Sequence, residues 1–340
     1  MTRPRVYFAG TMWPFWEFAR PILEPAVDIV VEPERVFTAE ELGPILAGVD
    51  GALLTAFEKL PRSVIEASQP RLRVLSKYGV GIETIDLEAA TEAGVLVTNT
   101  PGANSLGVAE HTIALMMAVL RHIPQLDRLV RSGSWNQARR YIGGDIEGAT
   151  LGMVGFGNVG QLVGKRARAL GMRVLAFDPY LSVERVAAAG ATRVDDLDTM
   201  LGDADVVSLH MVVTPETSRM FNAERFARFK RGAYLVNTAR AQLVDQDALI
   251  AALRSGQLAG AAVDVAEPEP LGVESPLYDL DNLIITPHHA GTTIRTRERT
   301  LTHAARNLVE MLNGRVPAIG VCNPEVRERF EARSHEASTG

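Results

Sequence analysis

The sequence is poor in the features that mark secreted, membrane and nucleic-acid-binding proteins. Of its 340 residues one is a cysteine, Cys322, so no internal disulfide can form and a reducing compartment is expected. No apolar run approaches the roughly 20 residues that span a bilayer, and the N-terminal residues lack the layout of a signal peptide. We therefore expect a cytoplasmic protein without a membrane segment.

Basic clusters are also absent from the sequence. The formal net charge is -6, and no run of lysine and arginine offsets this excess of acid, which argues against a nucleic-acid partner. Hydrophobic residues make up 46% of the chain and charged residues 22%, as in ordinary globular proteins. A chain of 340 residues is long enough for about two domains.

What the chain does contain is a glycine-rich turn between two apolar runs. Gly155, Gly157 and Gly160 lie between the first run and a helical stretch, and Asp178 ends the second run. In such a pattern the first glycine permits a tight turn and the second lets a pyrophosphate approach the backbone. The third lets helix and strand pack closely, and the phosphates face unpaired N–H groups at the helix start. The pattern predicts a dinucleotide site, with a purely structural turn as the alternative.

Asp178 indicates which dinucleotide is bound. It lies about where an acidic residue accepts hydrogen bonds from the adenosine ribose. A 2′-phosphate at that place would meet a negative charge, so we expect NAD rather than NADP.

Short apolar runs predict a parallel sheet on each side of this motif. The predicted strands outside the motif are 27–31, 51–55, 72–76, 95–98, 206–210, 233–237, 261–265 and 283–286. Residues 106–120 are apolar on almost every side, which predicts a buried helix connecting two domains. Within it, Glu110 and His111 suggest catalysis, but we expect a buried, hydrogen-bonded pair instead.

The helical stretch 292–312 follows after the second sheet is complete, so we expect it to return to the first domain. The sequence thus predicts an α/β protein with two doubly wound parallel sheets and an inter-domain cleft. The predicted parts are a flavodoxin-like substrate domain (1–101 and 290–330), a Rossmann NAD-binding domain (102–289) and a disordered tail (331–340).

Polar side chains with complementary chemistry follow the last three predicted strands, where ligands of open α/β sheets bind. They are Arg240, Glu269 and His288. A guanidinium can bind a carboxylate and polarise a carbonyl through a forked pair of bonds. An imidazole can deliver or remove a hydroxyl proton, and a carboxylate can orient that imidazole. The set predicts hydride transfer on a 2-oxo or 2-hydroxy acid, and we expect no metal.

Each of these residues has a simpler interpretation when taken alone. Arg240 is compatible with a surface charge, Glu269 with a solvated loop, and His288 with a hydrogen-bonded residue outside the reacting groups. Their occurrence after three successive strands favours the catalytic interpretation.

The chain resembles the D-isomer-specific 2-hydroxyacid dehydrogenases, a family that includes D-3-phosphoglycerate, glycerate and formate dehydrogenases. The resemblance extends from about Leu72 to Asn323. Besides the glycine turn, it rests on Tyr78-Gly79-Val80-Gly81, Asn99-Thr100-Pro101-Gly102-Ala103-Asn104, Val108-Ala109-Glu110-His111, Asn237-Thr238-Ala239-Arg240, Asp264 to Pro270, and Thr286-Pro287-His288.

The resemblance implies which residues act. It makes Arg240, Glu269 and His288 the catalytic set, and its spacing selects Glu269 over Glu267 and His288 over His289. The positions matching nucleotide contacts are Gly155, Gly157, Asn158, Val159, Gly160, Asp178, Thr238, Ala239 and Asp264. Backbone N–H groups near Val80 and Gly81 match those that hold the substrate carboxylate.

Departures from the family pattern bear on the substrate. Ala241 stands where the family usually has glycine, and Thr55-Ala56-Phe57 stands where phosphoglycerate dehydrogenases carry an arginine for the phosphate. Phosphoglycerate is thereby disfavoured, although Lys77 is a candidate contact for a distal anionic group. Val80 aligns with a lysine of the phosphite-oxidising relative, which argues against phosphite.

Family members are commonly homodimers, and residues 120–146, with Trp135 and Tyr141, match the region that pairs. A homodimer acting on a small 2-hydroxy or 2-oxo acid is therefore expected. The alternative is an NAD-responsive binding protein, similar to the transcriptional corepressors that share this fold. The sequence has no long flanking recruitment segments, which favours the enzyme.

Overall fold

The computed structural model of the chain describes residues 3–30 and 34–332, which fall into two compact units. Unit 1 consists of the residues up to Asn104 and those from Thr293 onward, and unit 2 is Ser105–Thr292. The chain therefore leaves unit 1 at 104/105 and returns at 292/293, where the sequence predicted 101/102 and 289/290.

The strands of the described residues are short and mostly buried. In chain order they are β1 Arg5–Phe8, β2 Asp28–Val30, β3 Gly51–Leu54, β4 Val74–Lys77, β5 Leu96–Thr98, β6 Thr150–Val154, β7 Arg173–Phe177, β8 Thr192–Arg193, β9 Val206–Leu209, β10 Ala233–Asn237, β11 Leu258–Val263 and β12 Leu283–Ile285. Val31, the predicted end of the second strand, lies outside the described residues.

Helices separate the strands, as parallel pairing requires. In chain order they are α1 Trp16–Leu23, α2 Ala39–Ala47, α3 Arg62–Ala67, α4 Leu87–Glu92, α5 Ser105–Leu120, α6 Ile123–Arg131, α7 Asn158–Ala169, α8 Val183–Ala188, α9 Leu197–Asp203, α10 Ala223–Ala227, α11 Gln246–Arg254 and α12 Ile294–Leu312. Short 3₁₀ helices cover Gly10–Phe15, Trp135–Arg140, Ala241–Leu243, Pro276–Asp279 and Pro324–Val326.

Unit 1 is built on a five-stranded parallel sheet in the order β2-β1-β3-β4-β5. This is the strand order of flavodoxin-like folds. Helix α12 packs against α1, β3 and β4, and the Ser76 hydroxyl donates to the carbonyl of Ala304 at 2.8 Å. The long C-terminal helix thus returns to unit 1.

Unit 2 is built on a seven-stranded parallel sheet in the order β12-β11-β10-β9-β6-β7-β8. The order reverses between β6 and β9, which is the switch point of a Rossmann sheet and the place where such folds bind dinucleotides. All five residues of β6 are buried, as expected for a central strand covered on both faces. The predicted fold class, α/β with two doubly wound parallel sheets, is confirmed.

Helix α5 opens unit 2 and packs against β10, β11 and α7. Ala109, Met116 and Val119 are among its buried residues. In the described ranges no single helix is both long and apolar enough to cross a membrane. The pair α5 and α6, bent by 60° at its break, meets that criterion by length and composition only.

The predicted start of the tail at residue 331 is wrong. Glu331 and Ala332 are helical, and only 333–340 lie outside the described residues. Val326 and Phe330 are buried in the same hydrophobic cluster as α12, one helical turn apart. Their burial holds this last turn in place, which the polar composition of 331–340 did not indicate.

Candidate active site

The glycine turn after β6 has the conformation that its sequence predicted. Gly155 has φ +86°, and a Cβ there would lie 2.8 Å from the backbone of His210. A Cβ on Gly160 would lie 2.6 Å from the carbonyl oxygen of Gly155. By contrast, a Cβ on Gly157 would meet no described atom within 4 Å. Two glycines are therefore required by close packing, and the third leaves space beside the backbone.

Helix α7 begins at this turn with unpaired N–H groups. Gly157 is its N-cap residue, and the first intrahelical bond runs from the N–H of Gln161 to the carbonyl of Gly157. The N–H groups of Asn158, Val159 and Gly160 precede that bond and have no acceptor among the described residues, so they can receive an anion at the positive end of the helix dipole.

Asp178 follows β7 and is half-buried. Its Oδ2 accepts the N–H of Phe156 at 2.8 Å, and its Oδ1 accepts the N–H of Tyr180 at 3.0 Å. A carboxylate has about four acceptor sites, so capacity remains for ribose hydroxyls. The open space at Gly157, the free helix terminus and this carboxylate together fit NAD.

The turn that carries Arg240 is stabilised by hydrogen bonds with the side chain of Asn237, the last residue of β10. The Asn237 side chain accepts the N–H of Ala239 at 3.0 Å and donates to the carbonyl of Arg240 at 2.9 Å. The Arg240 guanidinium donates to the carbonyl of Ala239 at 2.8 Å. Sequence reasoning treated Asn237 only as part of a motif, although an Asn at a strand end is a signal for such a side-chain-to-backbone turn.

Asp264 follows β11 and holds the loop after β12. Its carboxylate is fully buried and accepts the Thr286 hydroxyl at 2.5 Å, the N–H of His289 at 2.8 Å and the N–H of Ala290 at 2.7 Å. Burial alone would raise the pKa of Asp264, but these hydrogen bonds, together with His111, hold its pKa below the usual value. Since both oxygens are engaged within the protein, a direct nucleotide contact of Asp264 stays a prediction.

His288 and Glu269 form a pair in unit 2. The Nδ1 atom of His288 lies 2.9 Å from the Glu269 carboxylate, and about half of the imidazole is exposed. The second Glu269 oxygen accepts the N–H of Ala266 at 3.0 Å, which fixes the carboxylate. With Nδ1 facing Glu269, Nε2 is the imidazole nitrogen left for a ligand.

These side chains belong to neighbouring strands. Strand β10 pairs with β11, and β11 pairs with β12, all in parallel. The loops that carry Arg240, Glu269 and His288 therefore leave the same edge of the sheet.

In unit 1 the segment 79–81 forms a loop after β4 that is held by hydrogen bonds. Thr100 accepts the N–H of Gly79 at 2.9 Å, and Asn99 donates to the carbonyl of Val80 at 2.7 Å. Gly79 has φ +104°, a conformation that other residues rarely adopt. The N–H groups of Val80 and Gly81 have no acceptor within the part of the chain that the structure describes.

Lys77 ends β4 and points into the interior of unit 1, where only 2% of the residue is exposed. Its amine donates to the carbonyl of Thr55 and to the Thr84 hydroxyl. Burial lowers the pKa of Lys77 to about 8, against the opposing effect of Glu58 and Glu83. Contact of this amine with a distal substrate group stays a prediction.

The predicted pair of Glu110 and His111 is wrong. Glu110 is exposed and lies 3.5 Å from Arg166, whereas His111 Nε2 lies 3.2 Å from the Thr286 hydroxyl and 3.6 Å from Asp264. Successive residues of a helix point about 100° apart and do not face each other. The two side chains therefore find separate partners.

Known proteins resemble this chain in sequence. A family model described as D-isomer specific 2-hydroxyacid dehydrogenase, NAD binding domain, matches residues 113–290. The chain is 37% identical over 331 residues to the glyoxylate reductase of Thermofilum pendens, and the match covers 96% of each chain. It is 38% identical over 302 residues to the D-3-phosphoglycerate dehydrogenase of Archaeoglobus fulgidus, covering 87% of this chain and 57% of that relative.

A solved structure shows the same fold. The crystal structure of the TT0316 protein from Thermus thermophilus superimposes with a TM-score of 0.85 at 38% sequence identity. The match covers 94% of this chain and 99% of that one.

Proposed function

Because the chain belongs to the D-isomer specific 2-hydroxyacid dehydrogenase family and is an NAD-dependent dehydrogenase, we propose that it interconverts a 2-oxo acid and a D-2-hydroxy acid with His288 as the acid/base. The observation that carries the proposal is the His288–Glu269 pair, 2.9 Å apart, beyond the carboxyl ends of β11 and β12. The family model and the similar proteins give no support to the alternative of a corepressor-like binding protein.

His288 moves a proton. Glu269 accepts from Nδ1 and orients the ring, so Nε2 gives the proton to the carbonyl oxygen in reduction and takes it back in oxidation. Bound NAD supplies the chemistry of hydride exchange at the carbon that carries this oxygen.

Arg240 binds and polarises the substrate. Its guanidinium offers a fork of donors to the substrate carboxylate and carbonyl oxygen, and it stabilises the negative charge that develops on that oxygen. The backbone N–H groups of Val80 and Gly81, in unit 1, are proposed to bind a carboxylate.

NAD binds at the glycine turn of unit 2. The N–H groups at the start of α7 would hold its pyrophosphate, and Asp178 would accept from its ribose hydroxyls. The proposed contact residues are Gly155, Gly157, Asn158, Val159, Gly160, Asp178, Thr238, Ala239 and Asp264.

The substrate is a small 2-oxo acid, and a phosphorylated acid is disfavoured. No arginine occurs in Thr55-Ala56-Phe57, and the amine of Lys77 is already bonded to Thr55 and Thr84. A distal phosphate would have to draw that amine out of the interior.

The proposal is tested with a panel of 2-oxo acids. We expect NADH oxidation with glyoxylate, pyruvate or hydroxypyruvate, slower oxidation with 3-phosphohydroxypyruvate, and D-configured products from pyruvate and hydroxypyruvate. The measurements are the nicotinamide absorbance and chiral chromatography of the product. Tight NADH binding without turnover of any acid, or an L-configured product, would contradict the proposal.

Asp178→Ala should weaken the binding of NADH and reduce the preference for NADH over NADPH. The change removes the negative charge that opposes a 2′-phosphate and the acceptor that steadies the N–H of Phe156. Asp178→Asn is the matched control, because it removes the charge and keeps one acceptor. We expect both variants to gain in relative use of NADPH, measured as the ratio of kcat/KM for the two nucleotides. An unchanged ratio in both would exclude Asp178 from the ribose site.

We propose further that the protein is a cytoplasmic homodimer. The segment from α6 to residue 142 exposes apolar side chains, with Trp135 70% and Ile142 85% exposed. Exposed apolar patches of this kind mark interaction sites, and the matching family region supports a second copy as the partner. Its single cysteine, Cys322, suits a reducing compartment. Light scattering should give twice the chain mass.

A further inference from the structure

Two adjacent residues of α5 reach two of the loops that carry proposed catalytic side chains. The Thr112 hydroxyl donates to the carbonyl of Val108 at 2.7 Å, so the hydroxyl of Thr238, 2.8 Å away, donates to Thr112. Thr238 lies two residues before Arg240. His111 reaches the hydroxyl of Thr286, which lies two residues before His288. Helix α5 therefore contacts both loops directly.

The direction of the His111 contact follows from the chemistry of its partners. Thr286 has one hydroxyl proton, and its oxygen lies 2.5 Å from Asp264, which as a carboxylate can only accept. The Thr286 proton is therefore donated to Asp264, and the Thr286 oxygen accepts from His111. The Nε2 atom of His111, 3.2 Å from that oxygen, must carry a proton. His111 thus donates a hydrogen bond to Thr286, and Thr286 donates one to Asp264.

Asp264 is the residue that shapes the turn around His288. Its carbonyl accepts the N–H of His288 at 2.7 Å, and its carboxylate accepts the next two N–H groups, those of His289 and Ala290. His288 has φ +52°, a left-handed conformation that costs free energy for a non-glycine residue and persists only where the surroundings enforce it. The three hydrogen bonds that Asp264 accepts enforce this conformation.

We propose that His111 is a positioning residue for the reaction. By donating through Thr286 it completes the set of donors around Asp264, and Asp264 then fixes the turn that presents His288 to Glu269. On its own helix, Glu110 faces Arg166 and takes no part. The effect on turnover rests on the proposed function, whereas the effect on the turn does not.

Two variants of His111 separate a donated hydrogen bond from mere packing. His111→Gln keeps an N–H donor at nearly the position of Nε2, and His111→Leu removes it at similar volume. The first measurement is amide hydrogen exchange of the protein free of nucleotide and substrate. In His111→Leu we expect the amides of 288–290 to exchange about 10-fold faster, the upper end of what one lost hydrogen bond contributes. In His111→Gln they should remain within about threefold of the parent, and the amides of β6 should not change in either variant.

The second measurement is steady-state kinetics with NADH and the best acid of the panel. We expect His111→Leu to lower kcat by about 10-fold or more with little change in the KM for NADH, and His111→Gln to restore most of it. Combining His111→Leu with Thr286→Val should cost no more than the worse single change, since both break one chain of donors.

The outcomes are distinguishable from failure of the proposed function. If no acid is turned over, the proposed function fails while hydrogen exchange still decides the role of His111. Equal exchange at 288–290 in the parent and His111→Leu would overturn the inference. So would faster exchange spread evenly over unit 2, or a His111→Gln variant as impaired as His111→Leu, because each would indicate a general packing role.

Discussion

Replacing His288 by asparagine should lower kcat on the order of 10²–10⁴-fold, the usual contribution of a general acid or base. Asparagine is among the residues that best tolerate the left-handed conformation that His288 adopts, with φ +52°. The turn should therefore persist while the group that moves the proton is lost. The KM for NADH should barely change, because no nucleotide contact is assigned to this imidazole. Steady-state kinetics and fluorescence titration with NADH measure the two effects.

The neighbouring histidine is the control for this experiment. His289→Ala keeps the N–H that donates to Asp264 and removes only a side chain without an assigned role, so its kcat should stay within about threefold of the parent. Glu269→Gln should lower kcat, and Glu267→Gln should not, because only Glu269 lies against the imidazole. Normal turnover by His288→Asn would remove His288 as the proton donor.

Arg240→Gln should lower kcat/KM for the 2-oxo acid by about 10²–10³-fold, the range seen when one donor to a developing oxyanion is removed. We expect the KM for the acid to rise and kcat to fall. The guanidinium binds the carboxylate in the ground state and stabilises charge on the carbonyl oxygen in the transition state. The Asn237 side chain bonds to the backbone of this turn at two points, so the turn should persist without the Arg240 guanidinium. Initial rates over a range of acid concentrations provide the measurement.

Arg240→Lys distinguishes charge from geometry. Lysine keeps the positive charge and loses the planar fork, so we expect an activity between those of the parent and Arg240→Gln. The binding of NADH should be similar in all three proteins. If kcat/KM of Arg240→Gln stayed within about threefold of the parent, the substrate would be bound and polarised by another group.

The central strands could be predicted from the sequence because burial on both faces leaves an unbroken apolar run. Strand β10 was predicted with its observed limits, 233–237, and β9 to within one residue at each end. Strand β8 was missed because it is two residues long, Thr192–Arg193, and neither is buried. A short edge strand leaves no hydrophobic pattern to detect.

Within the candidate site, the sequence was informative where partners lie in loops of recognisable motif. The resemblance of the Pro-rich loop and of Thr286-Pro287-His288 to a known family selected the two residues that the structure brings to 2.9 Å. The partner of His111 is 175 positions away. No local pattern contains that contact, because it depends on which face of α5 meets the sheet. The buried position of Lys77, set by the path of its side chain between two loops, was hidden for the same reason.

The return of α12 to unit 1 determines the order in which the two units can be completed during synthesis. When residue 292 has left the ribosome, unit 2 already has all its strands. At that moment one face of the five-stranded sheet still lacks its cover, since Leu301, Ala305 and Leu308 pack there beside Phe8 and Leu53. Until α12 emerges, the nascent sheet of unit 1 exposes apolar surface. Chaperones can bind this surface during that period.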